Sequence, residues 1–264
     1  MRKSVAARSG LTVALAAALA AALLALVFLA AACRDESWRV GTELRSQSRD
    51  GLLGTVVTIS CYDEIPDRVF EECFEAVREI DGAMSVHLPD SGISRLNESG
   101  AASLPGDTYS LLERALRYSE LSGGAFDITI GAVTELWKTG GEFARLPDAE
   151  EIAAALPLVG YADVRLNGDG GVDIRGGADI SGGAGMGGGA DAGYGGARKR
   201  IDLGGIAKGF ACERAAEILR RRGVRHALLN FGGNIEAVGT KPDGSPWRVG
   251  VRNPVIGEEG YICV

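Results

Sequence analysis

The sequence predicts an α+β fold: a mixed sheet with hairpins and flanking helices, interrupted by a glycine-rich insert. Three observations predict it. Segments with apolar residues at steps of three or four alternate with short β-branched runs. The strand signals fall in hairpin-like pairs rather than in strand–helix–strand units. Between Gly176 and Gly196 about half the residues are glycine, with little apolar material to bury, which predicts a flexible insert over 176–197. The chain has 264 residues and is 46% apolar, a composition that suits one large folded domain. A net charge of -7, with no long basic stripe, argues against a nucleic-acid binder.

The N-terminus reads as an address. Arg2, Lys3 and Arg8 precede an uncharged run from Leu11 to Ala32 that ends Ala30-Ala31-Ala32-Cys33. A basic start, an apolar middle and small residues before a cut site form a signal-peptide pattern. Cys33 directly after those residues predicts a lipid attachment point, with a membrane-spanning anchor as the alternative. Either way the remainder lies outside the cytoplasm, facing the periplasm or the cell exterior. Residues 1–33 are therefore taken as leader, 34–50 as a polar tether and 51–264 as the domain. The five cysteines show no CxxC or metal-ligand spacing, and Cys73 and Cys212 fall in helical patterns as small buried hydrophobes.

The elements follow in order. Leu52 to Ser60 is β-branched and suits a strand. From Asp67 to Ile80, Val69, Cys73, Val77 and Ile80 mark an amphipathic helix. Met84 to Asn97 reads as a loop. Asp107 can cap a helix through Leu121, with Leu112, Ala115, Leu116 and Ser119 on one face. Asp148 followed by Glu151 is a capping-box start. Val164–Leu166 and Val172–Ile174 flank a turn and predict a hairpin. Ile201 to Gly205 reads as a short strand and turn before a helix with Ile206, Phe210, Ala211, Ala215, Ile218 and Leu219 on its face. Arg220 to Arg222 suit that helix's negative end and Gly223 its stop. Ala227–Phe231 and Trp247–Val251 complete the strands. His226, before the first of these, reads as structural.

Three segments join glycines to polar residues at element boundaries. In Ser122-Gly123-Gly124-Ala125-Phe126-Asp127-Ile128-Thr129, small residues let backbone N–H groups approach a ligand, while Asp127 and Thr129 offer an acceptor and a hydroxyl. Trp137 could reach the same region, and a helix C-cap with a surface turn is the alternative. In Asp202-Leu203-Gly204-Gly205-Ile206-Ala207-Lys208-Gly209, a turn leads into a helix N-terminus. That arrangement suits phosphate, and Lys208 brings a positive charge that opposes the helix dipole. It is not a Walker loop, because GxxxxGK[ST] is absent. In Leu229-Asn230-Phe231-Gly232-Gly233-Asn234-Ile235, a strand runs into a tight turn. Gly183-x-Gly185-x-x-Gly188, inside the insert, has neither the strand nor the helix that a dinucleotide fingerprint needs.

Read in order, these segments resemble the ApbE family of FAD:protein FMN transferases. Gly54-Thr55, Met84–Ser91 with Ser94-Arg95-Leu96-Asn97, Gly123–Thr129 with Trp137, Asp202–Gly209, Asn230–Gly233 and Pro246–Gly250 follow in family order. The resemblance implies a fold of that type and an exported enzyme that cleaves FAD and releases AMP. It also implies that the FMN phosphate is joined to a threonine of a target flavoprotein with Mg²⁺, the target belonging to an exported electron-transfer complex. By the same resemblance, Ala125, Phe126, Asp127 and Asp202 contact FAD, and Lys208 lies near the nucleotide. Gly205 gives Mg²⁺ a backbone carbonyl, and His87 takes the place of an aromatic flavin neighbour. Glu213 stands where the family has Asp. Beyond the Trp247 strand the family carries a His-containing stretch and an Asp-Ala-x-x-Thr-like metal motif. This sequence reaches Val264 without them, so an incomplete site is expected. The alternative function is a catalytically incomplete exported lipoprotein that binds a flavin nucleotide or is inactive. Tyr261–Val264 could begin a further strand.

Overall fold

Leu53 and Gly54, with φ of 53° and 65°, turn the chain between β1 (Val40–Leu52) and β2 (Thr55–Asp63), a two-residue hairpin connection closed by the Leu52–Thr55 pair. The computed structural model describes residues 38–138, 144–174, 198–253 and 261–263. The leader, Cys33 and the insert expected at 176–197 lie outside the described residues. From Arg39 onward the described residues belong to one unit.

β1 and β2 join β6 (His226–Phe231) and β7 (Asn234–Gly239) in an antiparallel sheet ordered β1-β2-β6-β7. Two helices pack beside this sheet, α1 (Asp67–Met84) and α6 (Ala207–Arg221). Apolar residues of α1 recur at helical spacing, and Val69, Phe70, Cys73, Phe74, Val77, Ile80 and Met84 are all buried. Fully burying a side chain such as Phe70 or Phe74 contributes about 2–3 kcal/mol each. α6 buries Phe210, Ala211, Cys212, Ala215, Ala216, Ile218 and Leu219, and the Cys73 thiol donates to the Ala215 carbonyl at 3.6 Å. Between these helices run α2 (Gly92–Ser99), β3 (Ala101–Ser103), α3 (Gly106–Leu121), α4 (Gly131–Thr134) and α5 (Ala149–Ala155). The hairpin β4 (Arg165–Leu166) and β5 (Gly171–Asp173) pairs with β3 as β3-β5-β4, and β8 (Gly250–Arg252) pairs with β9 (Tyr261–Cys263). The fold is α+β with antiparallel sheets, as the sequence predicts.

Several boundaries differ from expectation. The polar composition of residues 34–50 predicts a tether, but Val40–Asp50 form most of β1. The strand carries polar side chains on both faces, so no apolar alternation marks it. Ser46 and Ser48 pair with Ser60 and Thr58 at 2.8 and 2.9 Å. On the other face Arg45 lies 5.3 Å from the Phe70 ring and pairs with Asp67, and Arg49 lies 4.5 Å from the Phe74 ring and pairs with Glu71. The expected loop from Met84 to Asn97 carries most of α2, capped by Ser91, whose hydroxyl accepts from the Ser94 amide at 2.9 Å. Asp107 is not the cap of α3: Pro105 holds that position, and Asp107 sits in the first turn, paired with Arg214. The Asp148–Glu151 capping box forms as expected. Instead of a strand over Ile201–Gly205, a single parallel bridge joins Arg200 to Ile130. The strand expected over Trp247–Val251 begins later, at Gly250.

Cys61, Cys73 and Cys212 are free and buried. Burial pushes each thiol from the ordinary value of 9.0 up to about 12, and the Asp63 carboxylate adds to the effect at Cys61. Both folded and unfolded chains hold these protons below pH 9.0; as pH rises from there toward 12 the unfolded chain ionises first, and this contribution to stability is lost. Peptide-mapped alkylation of the native chain at pH 8 should leave these thiols unlabelled until denaturant is added. Unfolding midpoints should fall steadily above pH 9.0. Rapid native labelling of any of the three would contradict this burial.

Candidate nucleotide site

Two of the three glycine segments are spliced together by the backbone. The Asp202 amide donates to the Ile128 carbonyl at 2.8 Å, and the Gly131 amide donates to the Arg200 carbonyl at 3.1 Å. The approach at Gly131 is so close that a Cβ there would stand 2.7 Å from the Arg200 carbonyl oxygen, so only glycine fits. Asn97, buried at the end of α2, completes the splice. Its side-chain amide donates to the Ile201 carbonyl at 2.9 Å, and its side-chain carbonyl accepts from the Ile201 amide at 2.7 Å. One side chain thus satisfies both backbone groups of a residue that has no strand partner.

The first segment begins where α3 ends. Gly123 and Gly124 take φ of 61° and 85°, and the Gly124 amide donates to the Ser119 carbonyl at 2.8 Å, closing the helix C-terminus. The Ser122 hydroxyl accepts from the Phe126 amide at 3.0 Å, which holds Ala125 exposed and Phe126 half-buried. The C-cap alternative to a binding role is therefore present in the structure, but it accounts only for Ser122–Gly124. Asp127 serves a second function: its Oδ1 accepts from the Thr129 amide at 2.8 Å and hydroxyl at 2.7 Å, and its Oδ2 accepts from the Tyr161 amide at 2.9 Å.

The second segment is organised by Asp202. Its Oδ1 accepts from the Gly204 amide at 2.8 Å and its Oδ2 from the Thr134 hydroxyl at 2.7 Å. Gly204 and Gly205 are exposed, and the ring of Phe126 is the neighbour of Gly205, 3.2 Å from where a Cβ would stand. Phe126 and Gly205, from different segments, therefore share one surface. The N-terminus of α6 has no side-chain cap; its Ala207 amide donates to the Leu203 carbonyl at 2.8 Å, so the first-turn N–H groups that could face an anion are those of Lys208 and Gly209. Lys208, in that first turn, brings its ammonium within 3.4 Å of the Gly204 carbonyl.

The third segment joins through Thr55 and α6. Gly232 has φ of 60°, and a Cβ there would lie 2.4 Å from the Thr55 hydroxyl. Asn230 Oδ1 accepts from the Gly233 amide at 2.8 Å, and Asn234 Oδ1 lies 3.8 Å from the position of a Cβ on Gly209. His87 stands exposed in the turn between α1 and α2, its amide donating to the Ser85 hydroxyl at 3.2 Å, outside the hydrogen bonds that join Asp127 to Asp202. Trp137 is half-buried at the end of the 3-10 turn Glu135–Trp137, which follows directly on Thr134. Glu213 pairs with Arg114 at 2.7 Å on the surface of α6. His226 is structural, its Nδ1 2.6 Å from the Thr240 carbonyl.

Mg²⁺ takes about six oxygens in near-octahedral geometry. Among the described residues no group of three or more His, Cys, Asp or Glu could hold a metal ion. Every carboxylate oxygen of Asp127 and Asp202 already accepts a protein hydrogen bond. The Gly205 carbonyl and these neighbours alone do not fit a resident Mg²⁺. Sequence inspection did not single out Lys199, Thr134 or the turn at Gly160–Tyr161. Lys199 is flanked by Arg198 and Arg200, and because an extended chain alternates its sides Lys199 is buried while Arg198 is exposed.

This architecture is shared with solved flavin transferases. The flavin transferase ApbE from Vibrio cholerae superposes with a TM-score of 0.66 at 23% identity, covering 84% of this chain and 68% of that one. The ApbE protein of Thermotoga maritima superposes at 0.67 with 29% identity, again covering 84% and 68%. The chain belongs to the ApbE family, whose model matches residues 53–263. The FAD:protein FMN transferase of Treponema pallidum is 31% identical over 227 residues, covering 80% of this chain and 59% of the relative. That of Haemophilus influenzae is 24% identical over 249 residues, covering 90% and 65%. The chain thus spans 59% and 65% of the lengths of these two relatives.

Asn97→Ala removes both bonds to Ile201 and leaves two buried backbone groups unpaired, each costing about 1–3 kcal/mol. Chemical denaturation should register a loss of about 2–6 kcal/mol. A loss near that of an exposed substitution would mean that Asn97 does not hold the splice.

Proposed function

We propose that this chain is a flavin transferase that takes FAD as substrate and passes its FMN portion to a threonine of a target flavoprotein, releasing AMP. Family membership and the printed activity of its relatives support the reaction class. The observation that carries the reading to this chain is the Asp202–Ile128 splice, which sets Phe126 beside Gly205 at the uncapped start of α6. In this reading Ala125, Phe126 and Asp127 lie along one side of the nucleotide, and Asp202 and Lys208 along the other. The backbone N–H groups of Gly205, Lys208 and Gly209 take the phosphates. His87 is the flavin-ring neighbour.

In the transfer, the threonine Oγ forms a bond to the flavin-side phosphorus. The bond from that phosphorus to the bridging oxygen breaks, and AMP leaves with that oxygen. The hydroxyl proton departs to a base or to water. Negative charge grows on the leaving phosphate, and the Lys208 ammonium with the N–H groups at the start of α6 would stabilise it. Mg²⁺, which the family resemblance implies, would need oxygens other than those of Asp127 and Asp202, which already accept protein hydrogen bonds. The leader with Cys33 supports an exported lipoprotein held at a membrane surface, facing the periplasm or cell exterior, where an exported electron-transfer complex would supply the target flavoprotein. Among the described residues no helix is long and apolar enough to cross a membrane, so the anchoring reading rests on residues 1–33.

AMP release from FAD by the full chain, with Mg²⁺ and a threonine-bearing acceptor, tests the reading. Asp202→Ala and Lys208→Ala should each lower AMP release by about a hundredfold, the scale of removing one preorganised electrostatic group. Flavin binding with no AMP release would retain the site and discard the reaction. No flavin binding would discard both.

A further inference from the structure

We infer that Lys199 is a positioning residue for the nucleotide site, setting Asp127 and Thr129 through the turn at Leu158–Tyr161. The inference rests on the proposed function for what the site binds, but not for the arrangement itself. The Lys199 side chain is only 4% exposed, so its ammonium has left water. It recovers three partners: the carbonyls of Leu158 and Gly160, each at 2.9 Å, and Asp163 Oδ2 at 3.3 Å. An ammonium has three protons, and all are used.

Two carbonyls on one turn, held by one buried charge, fix the direction of the amides between and beyond them. The Gly160 amide donates to the Thr129 hydroxyl at 2.7 Å, and the Tyr161 amide donates to Asp127 Oδ2 at 2.9 Å. The Thr129 hydroxyl, filled on its acceptor side, donates in turn to Asp127 Oδ1 at 2.7 Å. The orientation of the Asp127 carboxylate is therefore set from both oxygens by groups that Lys199 arranges. The turn packs closely on the ammonium, since a Cβ on Gly160 would stand 3.3 Å from the Lys199 nitrogen. Lys199 also lies on the strand-like run whose Asp202 amide binds Ile128, so one short stretch holds the first segment at two places. A lysine kept only for bulk would need no such set of acceptors, since burying an ammonium is costly unless it is fully paired.

The test uses the full chain with Lys199→Met and Asp163→Asn, reading amide exchange and FAD affinity by quenching of flavin fluorescence. Lys199→Met should speed exchange at Gly160 and Tyr161 by about tenfold or more, the factor expected from losing one net hydrogen bond, while β6 amides stay protected. FAD binding should weaken by about tenfold. Asp163→Asn, which leaves both carbonyl bonds in place, should shift both readouts in the same direction by less. If Lys199→Met does not fold, Asp163→Asn and Lys199→Arg carry the comparison. Unchanged exchange at Gly160 and Tyr161 overturns the inference, and so does faster exchange with unaltered FAD affinity. A wild-type chain that binds no FAD overturns the functional reading, while exchange still decides whether Lys199 holds the turn.

Discussion

The hydrogen bond from the Asp202 amide to the Ile128 carbonyl is the constraint on which the site depends. It brings together segments far apart in the chain, neither of which forms a regular strand. A contact of this kind, worth only about 1 kcal/mol net by itself, cannot organise a site alone. It holds because the Gly131 approach to Arg200, the Asn97 clamp on Ile201 and the Thr134 bond to Asp202 all favour the same register. Consistent local choices of this sort give one arrangement a clear advantage over its neighbours.

The sheet and its two long helices supply the frame for that register. α6 buries one face against α1 and the sheet, so its N-terminus, with Gly204, Gly205 and Lys208, is held in place by the core. β1 closes the sheet edge with polar pairs instead of apolar ones, and its arginines lie over Phe70 and Phe74 while pairing with Asp67 and Glu71. These are surface ion pairs of small individual worth, but each also covers the face of an aromatic ring. The candidate site falls on the irregular segments, which helix and sheet leave at the surface.

Much of this was legible in the sequence. The apolar spacing from Val69 to Ile80 gave α1, Asp148 and Glu151 gave a capping box, and the turn before Val172 gave the β4–β5 hairpin. Asp127, Asp202, Gly205 and Lys208 lie in segments where glycines meet polar residues at element ends, and the family resemblance, not the local pattern, gave them their expected roles. β1 was hidden because its stability comes from cross-strand serine and threonine pairs and from arginines over rings, which leave no alternating apolar pattern. Lys199 and Asn97 were hidden for a different reason. Their partners are backbone atoms distant in sequence, and no local spacing encodes which carbonyl a buried amide or ammonium will meet.

The most direct measurement is hydrogen exchange of the full chain with and without FAD, mapped along the sequence. One nucleotide spanning the splice should protect residues 122–130 and 200–209 together, at the same FAD concentration. Protection of only one segment, or of neither while FAD binds elsewhere, would contradict a single site built across the Asp202–Ile128 bond.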